Sequence, residues 1–114
     1  MVNITVEGDR VVFSVQGLHK VLALKSGIEV SRSHIVSAYT DESVFTFYKG
    51  MRVPGTHIPG VITAGTFRKD GKKIFWDVFR KKNAVVVALA EEDYDRFVIE
   101  VEDPVAAMNL LNSK

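Results

Sequence analysis

Three histidines, a run of acids and two basic turns are the groups here whose chemistry invites a function. His19, His34 and His57 are the only histidines, 15 and 23 residues apart. Zinc motifs place at least two ligands within a few residues of each other, so no metal site is expected from this spacing. Cysteine is absent. That removes thiol catalysis, a disulfide framework and Cys-ligated zinc or iron–sulfur sites, and it fits a reducing, cytoplasmic setting. The sequence also holds no Gly-x-Ser-x-Gly, phosphate-cradling glycine loop or dinucleotide fingerprint. With no catalytic constellation, the expectation is a protein that is not an enzyme and uses no cofactor.

His57 is the most site-like of the three. It lies in Arg52-Val53-Pro54-Gly55-Thr56-His57-Ile58-Pro59-Gly60, where two Pro-Gly pairs predict a compact, stiff loop. Rigid loops on a scaffold often carry function. Turn chemistry alone explains the same residues, with His57 merely sitting on the loop. Just before it, Val44 to Met51 holds Phe45, Phe47, Tyr48 and Met51 around Lys49. Strand alternation would put Phe45 and Phe47 on one face and Tyr48 on the other, so one bulky face is expected to reach the surface, where aromatic area marks association. The candidate interface is therefore Phe45, Phe47, Tyr48, Met51, Arg52, Pro54, His57 and Pro59, contacting a protein partner or another copy of the chain.

Charge is close to balanced, at 15 Lys and Arg against 14 Asp and Glu. Seven of the bases fall between Arg68 and Lys82, and the acids concentrate from Glu91 to Asp103. Separate basic and acidic regions are expected, which favours oriented association. A net charge of +1 gives no global field toward nucleic acid or an anionic membrane. Nucleic-acid binding is not expected, because Trp76 shares a strand face with Ile74 and Val78 and reads as core, while Asp77 accompanies Phe75 and Phe79. Asp77 itself requires either a wet face or an ion pair with Arg52, Arg68 or Arg80. The pair is the favoured reading.

The elements that must position these groups follow from periodicity. The 114 residues suit one domain, 1–114. Val2, Ile4 and Val6 alternate with polar residues, as do Val11, Phe13 and Val15 after the turn Glu7-Gly8-Asp9-Arg10; this predicts a hairpin. Residues 17–25 change to helical spacing, with a strand as the alternative. Strands follow at 28–30, 35–40, 61–67, 73–79, 84–90 and 97–101. Asp103-Pro104 predicts an N-cap with proline at the first helical position, opening a helix near 104–112 with Val105, Met108 and Leu111 on one face. The longest apolar run, Ala84 to Ala90, is far short of the about twenty residues of a membrane span. The opening residues lack the pattern of a signal peptide.

This order of elements resembles that of pleckstrin-homology-like (PH-like) domains. The residues are similar to small bacterial and archaeal PH-like proteins of unassigned function. The resemblance is carried by Ile28 to Val36, by Arg52 to Phe67 with its proline–glycine loop, by Phe75 to Val78, by Tyr94 to Arg96 and by Ile99 to Pro104. It implies a mostly-β fold: a curved sheet or partly open barrel of about seven antiparallel strands, a short helical insertion near 17–25 and a closing C-terminal helix. Phosphoinositide-binding PH domains use several bases on the first hairpin. Here that turn is Glu7-Gly8-Asp9-Arg10, so phosphoinositide binding is not expected. The expected role is a protein-interaction or self-assembly module. The alternative is a small-molecule-binding barrel or an enzyme with an unrecognised site near the Pro54–Gly60 loop.

Overall fold

The alternation at the start of the chain becomes a hairpin. β1 (Val2–Glu7) pairs antiparallel with β2 (Arg10–Val15), from Val2 opposite Val15 to Glu7 opposite Arg10. Two residues connect them, and Gly8 takes φ +65°. Glycine at a positive φ in the first loop position suits a two-residue hairpin, whose twist it matches. β3 (Gly27–Ser31) adds antiparallel to β2, giving a three-stranded sheet in the order β1-β2-β3. The computed structural model describes residues 2–15, 27–41, 55–58, 62–69, 71–78 and 81–113. The proposed helical insertion at 17–25 lies outside them.

A second sheet holds β4 (Ile35–Tyr39), β5 (Gly55–Ile58), β6 (Ile62–Lys69), β7 (Lys72–Val78), β8 (Ala84–Leu89) and β9 (Arg96–Glu100). Its order is β4-β8-β9-β7-β6-β5. The β6–β7 hairpin pairs Lys69 with Lys72, and Gly71 has φ +79°. The chain then leaves one place empty beside β7, builds β8, and returns through β9 into that place. β9 consequently runs parallel to β7 and antiparallel to β8. The all-antiparallel expectation is corrected by this step. The described residues form nine strands in two sheets that do not close into a barrel.

Both faces of the larger sheet are apolar. One face brings Ile35, Phe75, Val85, Val87, Phe97 and Ile99 against Val2, Val11, Phe13, Val15 and Val30 of the small sheet. The other gathers Phe67, Ile74, Trp76, Val78, Ala84, Val86 and Val98. Burial on both sides explains why β7 and β8 read as nearly continuous apolar runs rather than alternating ones. Phe97 joins the sheets: its ring lies 4.9 Å from Phe13, 6.2 Å from Phe75 and 5.7 Å from Tyr94, each edge-on. Edge-on contact sets positive ring edges against negative faces. Trp76 is core, as its face predicts. Asp77 is fully buried as well, so its face is not a wet one.

The helix α1 (Pro104–Asn112) forms where its cap requires. Asp103 is extended, and its Oδ1 accepts from the Ala106 N–H at 3.1 Å. Of the three residues expected on its packed face, Met108 and Leu111 pack and Val105 does not. Ala107 and Leu111 are buried and Met108 is partly buried, while Val105 is 64% exposed and Leu110 39%. Contact is made at i and i+4, and at 3.6 residues per turn Val105 lies about 120° to 160° around the axis from Leu111 and Ala107.

Candidate interaction surface

A strand at the end of a sheet presents unpaired N–H and C=O groups, and this is where a β protein meets other chains. Among the described residues, the outer strands are β1 and β3 of the small sheet and β4 and β5 of the large one. Their surroundings differ.

The β4 edge is closed by α1. The Ala38 N–H donates to Asn112 Oδ1 at 2.8 Å, and Asn112 Nδ2 donates to the Ala38 carbonyl at 2.9 Å. One side-chain amide thus takes the place of a neighbouring strand's peptide group. Arg32 reinforces it, donating from Nη2 to the Ser113 carbonyl at 2.6 Å.

The β3 edge is half closed. The Ser31 N–H donates to Glu92 Oε2 at 3.3 Å, while the next N–H, of Arg32, donates to the Asp9 carbonyl at 2.7 Å on the β2 side. Antiparallel ladders alternate in this way, so Gly27 and Glu29 direct their main-chain groups outward like Ser31. Glu92 also bonds His34 Nδ1 at 2.6 Å, and Glu91 Oε2 stands 3.8 Å from His34 Nε2. Glu91 reaches this place with φ +59°, a region sparsely used by residues with a Cβ. A groove of about 250 Å³ lies between β3 and Glu92–Tyr94.

The acidic run and the first basic turn meet here. Lys73 Nζ lies 2.6 Å from Asp93 Oδ2 and 4.6 Å from the centre of the Tyr94 ring. The Lys73 N–H donates to Asp95 Oδ2, and the Asp95 N–H donates to the Lys73 carbonyl, both at 2.8 Å. The two regions, expected apart, are joined at Lys73. The buried Tyr94 places its hydroxyl 2.8 Å from Thr66 Oγ1.

The β1 edge has no strand beside it among the described residues. A groove of about 200 Å³ separates Val2, Asn3 and Ile4 from Val101, Glu102, Asp103, Ala106, Ala107 and Leu110.

Of the interface residues expected from sequence, Phe45, Phe47, Tyr48, Met51, Arg52, Pro54 and Pro59 lie outside the described residues. His57 belongs to β5, where it pairs with Thr63. The stiff-loop reading is corrected there: residues 55–58 are an edge strand, in keeping with prolines that bracket rather than interrupt it. His34 precedes β4 and His57 lies in β5, strands at opposite ends of the sheet. Among the described residues, no three His, Asp or Glu side chains converge as a metal site would require. Asn112 and the His34–Glu92 pair carry no sequence signal, since their partners are 74 and 58 residues away. Comparison with protein-family models, with curated proteins and with solved structures gives no match.

Proposed function

We propose that this chain is a protein-interaction or self-assembly module of PH-like arrangement, acting in the cytoplasm, which recruits an extended segment by adding it to a sheet edge. One observation carries this reading: the β1 edge opens on a groove, whereas the β4 edge is closed by a side chain built for the purpose. Strand addition draws affinity from main-chain hydrogen bonds and specificity from pockets for alternate side chains. The two antiparallel hairpins and the C-terminal helix support the PH-like arrangement. The parallel β7–β9 pair departs from it.

Among the described residues nothing favours the small-molecule or enzyme alternative, whose place near the Pro54–Gly60 loop lies largely outside them. The grooves beside β1 and β3, about 200 and 250 Å³, fall below the roughly 300–1,000 Å³ of ligand pockets. The space between the sheets is filled by Phe13, Phe75, Tyr94 and Phe97. Nucleic acid lacks the stacking platform that Phe75 and Trp76 would supply, because both are buried.

The test compares the wild-type chain with Ile4→Pro and Glu29→Pro. These remove N–H groups that point away from β2, so the sheet itself tolerates them. Light scattering over a range of concentrations reads self-association, and retention of proteins from a native extract reads partners. Association or retention that a folded edge variant loses is the expected result. A strict monomer, with identical retention by all three chains, overturns the reading.

A further inference from the structure

We infer that the groove between β1 and α1 binds an extended peptide segment of a partner protein, one that alternates apolar residues with lysine or arginine. This rests on the strand-addition reading above and names its site and occupant.

The direction of the main-chain groups comes first. A two-residue turn makes its flanking pair, Glu7 and Arg10, a hydrogen-bonded pair. The ladder alternates from there, so Asn3, Thr5 and Glu7 bond to β2 while Val2, Ile4 and Val6 direct N–H and C=O outward. The other side of β2 gives the same answer. Ser31 points away from β2, so Val30 bonds Val11 and Ile28 bonds Phe13. That leaves Arg10, Val12 and Ser14 to bond β1. Two independent observations therefore place a row of donors and acceptors along the outer edge of β1.

The wall opposite that row selects side chains. Val101, Ala106, Ala107 and Leu110 are apolar, and Leu110 is 39% exposed. A strand laid along β1 turns alternate side chains toward this wall, and apolar ones fit it. Among the described residues, the charged ones lining the groove are Glu102 and Asp103, both exposed, with no Lys or Arg beside them. Basic residues in the incoming strand complement them.

Charge also decides against a second copy. Two β1 strands paired about a two-fold axis through Ile4 would set Val6 of one opposite Val2 of the other. Glu7 would then extend past Val2 toward Glu102 and Asp103, bringing like charges together. A basic segment meets no such penalty.

The probe is a capped synthetic peptide of alternating lysine and valine, with an alternating glutamate–valine peptide as its control. Nuclear magnetic resonance follows the backbone amides of the isotope-labelled full chain. With the lysine peptide, the Val2, Ile4 and Val6 amides are expected to shift and to exchange with solvent roughly tenfold more slowly, while Asn3, Thr5 and Glu7, already bonded to β2, do not change. The control is expected to do neither. Glu102→Lys should weaken the first peptide and admit the second. Leu110→Ser, at a partly exposed position, should weaken the lysine peptide by removing apolar wall without changing charge, while leaving the fold intact.

Equal response to the two peptides overturns the proposal, as does protection of Val2, Ile4 and Val6 in the free chain. Self-association that Ile4→Pro abolishes overturns it in favour of a second copy. Response confined to β3 or β5 overturns this site while leaving the strand-addition reading standing. That reading fails separately, by the monomer and unchanged retention described above.

Discussion

One helix borders two sheet edges and treats them differently. At its C-terminal end, Asn112 offers a donor and an acceptor to Ala38 and closes β4. On another side of the same helix, Ala106 and Leu110 face β1 across a groove, and neither carries a polar side chain. β4 and β1 have similar lengths and similar apolar character, so propensity does not separate them. The difference is one amide of the right reach. Among the described residues β4 is given a hydrogen-bond partner and β1 is not, and an edge of the second kind is the one the proposed strand addition would use.

The comparison assumes that both edges ride on one cooperative core, and Phe97 is where that assumption breaks most easily. Its ring is fully buried and touches Phe13 of the small sheet as well as Phe75 and Tyr94. Phe97→Ala should cost about 3–5 kcal/mol in urea unfolding. A single transition, shifted to lower urea, is expected. Two separate transitions would mean that the sheets fold independently and that their edges cannot be compared as parts of one unit.

Asn112→Ala tests the closed edge itself. It removes both partners from Ala38 in a partly buried place, which should cost about 1–3 kcal/mol. It should also turn β4 into an open edge, read as association that grows with concentration in light scattering. A stable monomeric variant would show that Asn112 secures the helix without guarding the edge.

Those two tests also mark what the sequence discloses. The first hairpin and α1 are legible because each is local: alternation and Gly8 for one, Asp103-Pro104 for the other. Trp76 is legible as core because its strand face is apolar. The parallel β7–β9 pair is not, because a buried strand's composition is the same whichever neighbour it takes. β5 is hidden because prolines and glycines that flank an edge strand look like those of a loop. Val105 is wrongly included in the packed stripe of α1 because it is as apolar as Leu111, and only the sheet decides which is covered. The surface itself depends on Ala38 with Asn112 and on His34 with Glu92, contacts across 74 and 58 residues that no local pattern announces.

Asp103 separates the helix from the charge of the groove. Asp103→Ala loses the bond to the Ala106 N–H and should cost about 1 kcal/mol in thermal or urea unfolding. Asp103→Asn keeps a capping oxygen and removes the charge. It should hold most of the stability while weakening the lysine–valine peptide. If the two variants weaken the peptide equally, the helix start matters to the groove through its position and not its charge.

The smallest effect concerns the neighbouring groove at β3, whose acids are already engaged. Asp93 is 78% exposed and pairs with Lys73, and Glu92 is held by Ser31 and His34. Exposed pairs contribute little, so Asp93→Asn should change stability by less than about 1 kcal/mol, and less still at high salt. Peptide binding along β1 should not respond. Glu102 and Asp103 act at short range on the strand beside them, whereas a distant acid acts only through a field that salt screens within about 10 Å. A lysine–valine peptide weakened as much by Asp93→Asn as by Glu102→Lys would mean that it senses the protein's overall charge. The contrast between the two open edges would then lose its electrostatic half and rest on the apolar wall of α1 alone.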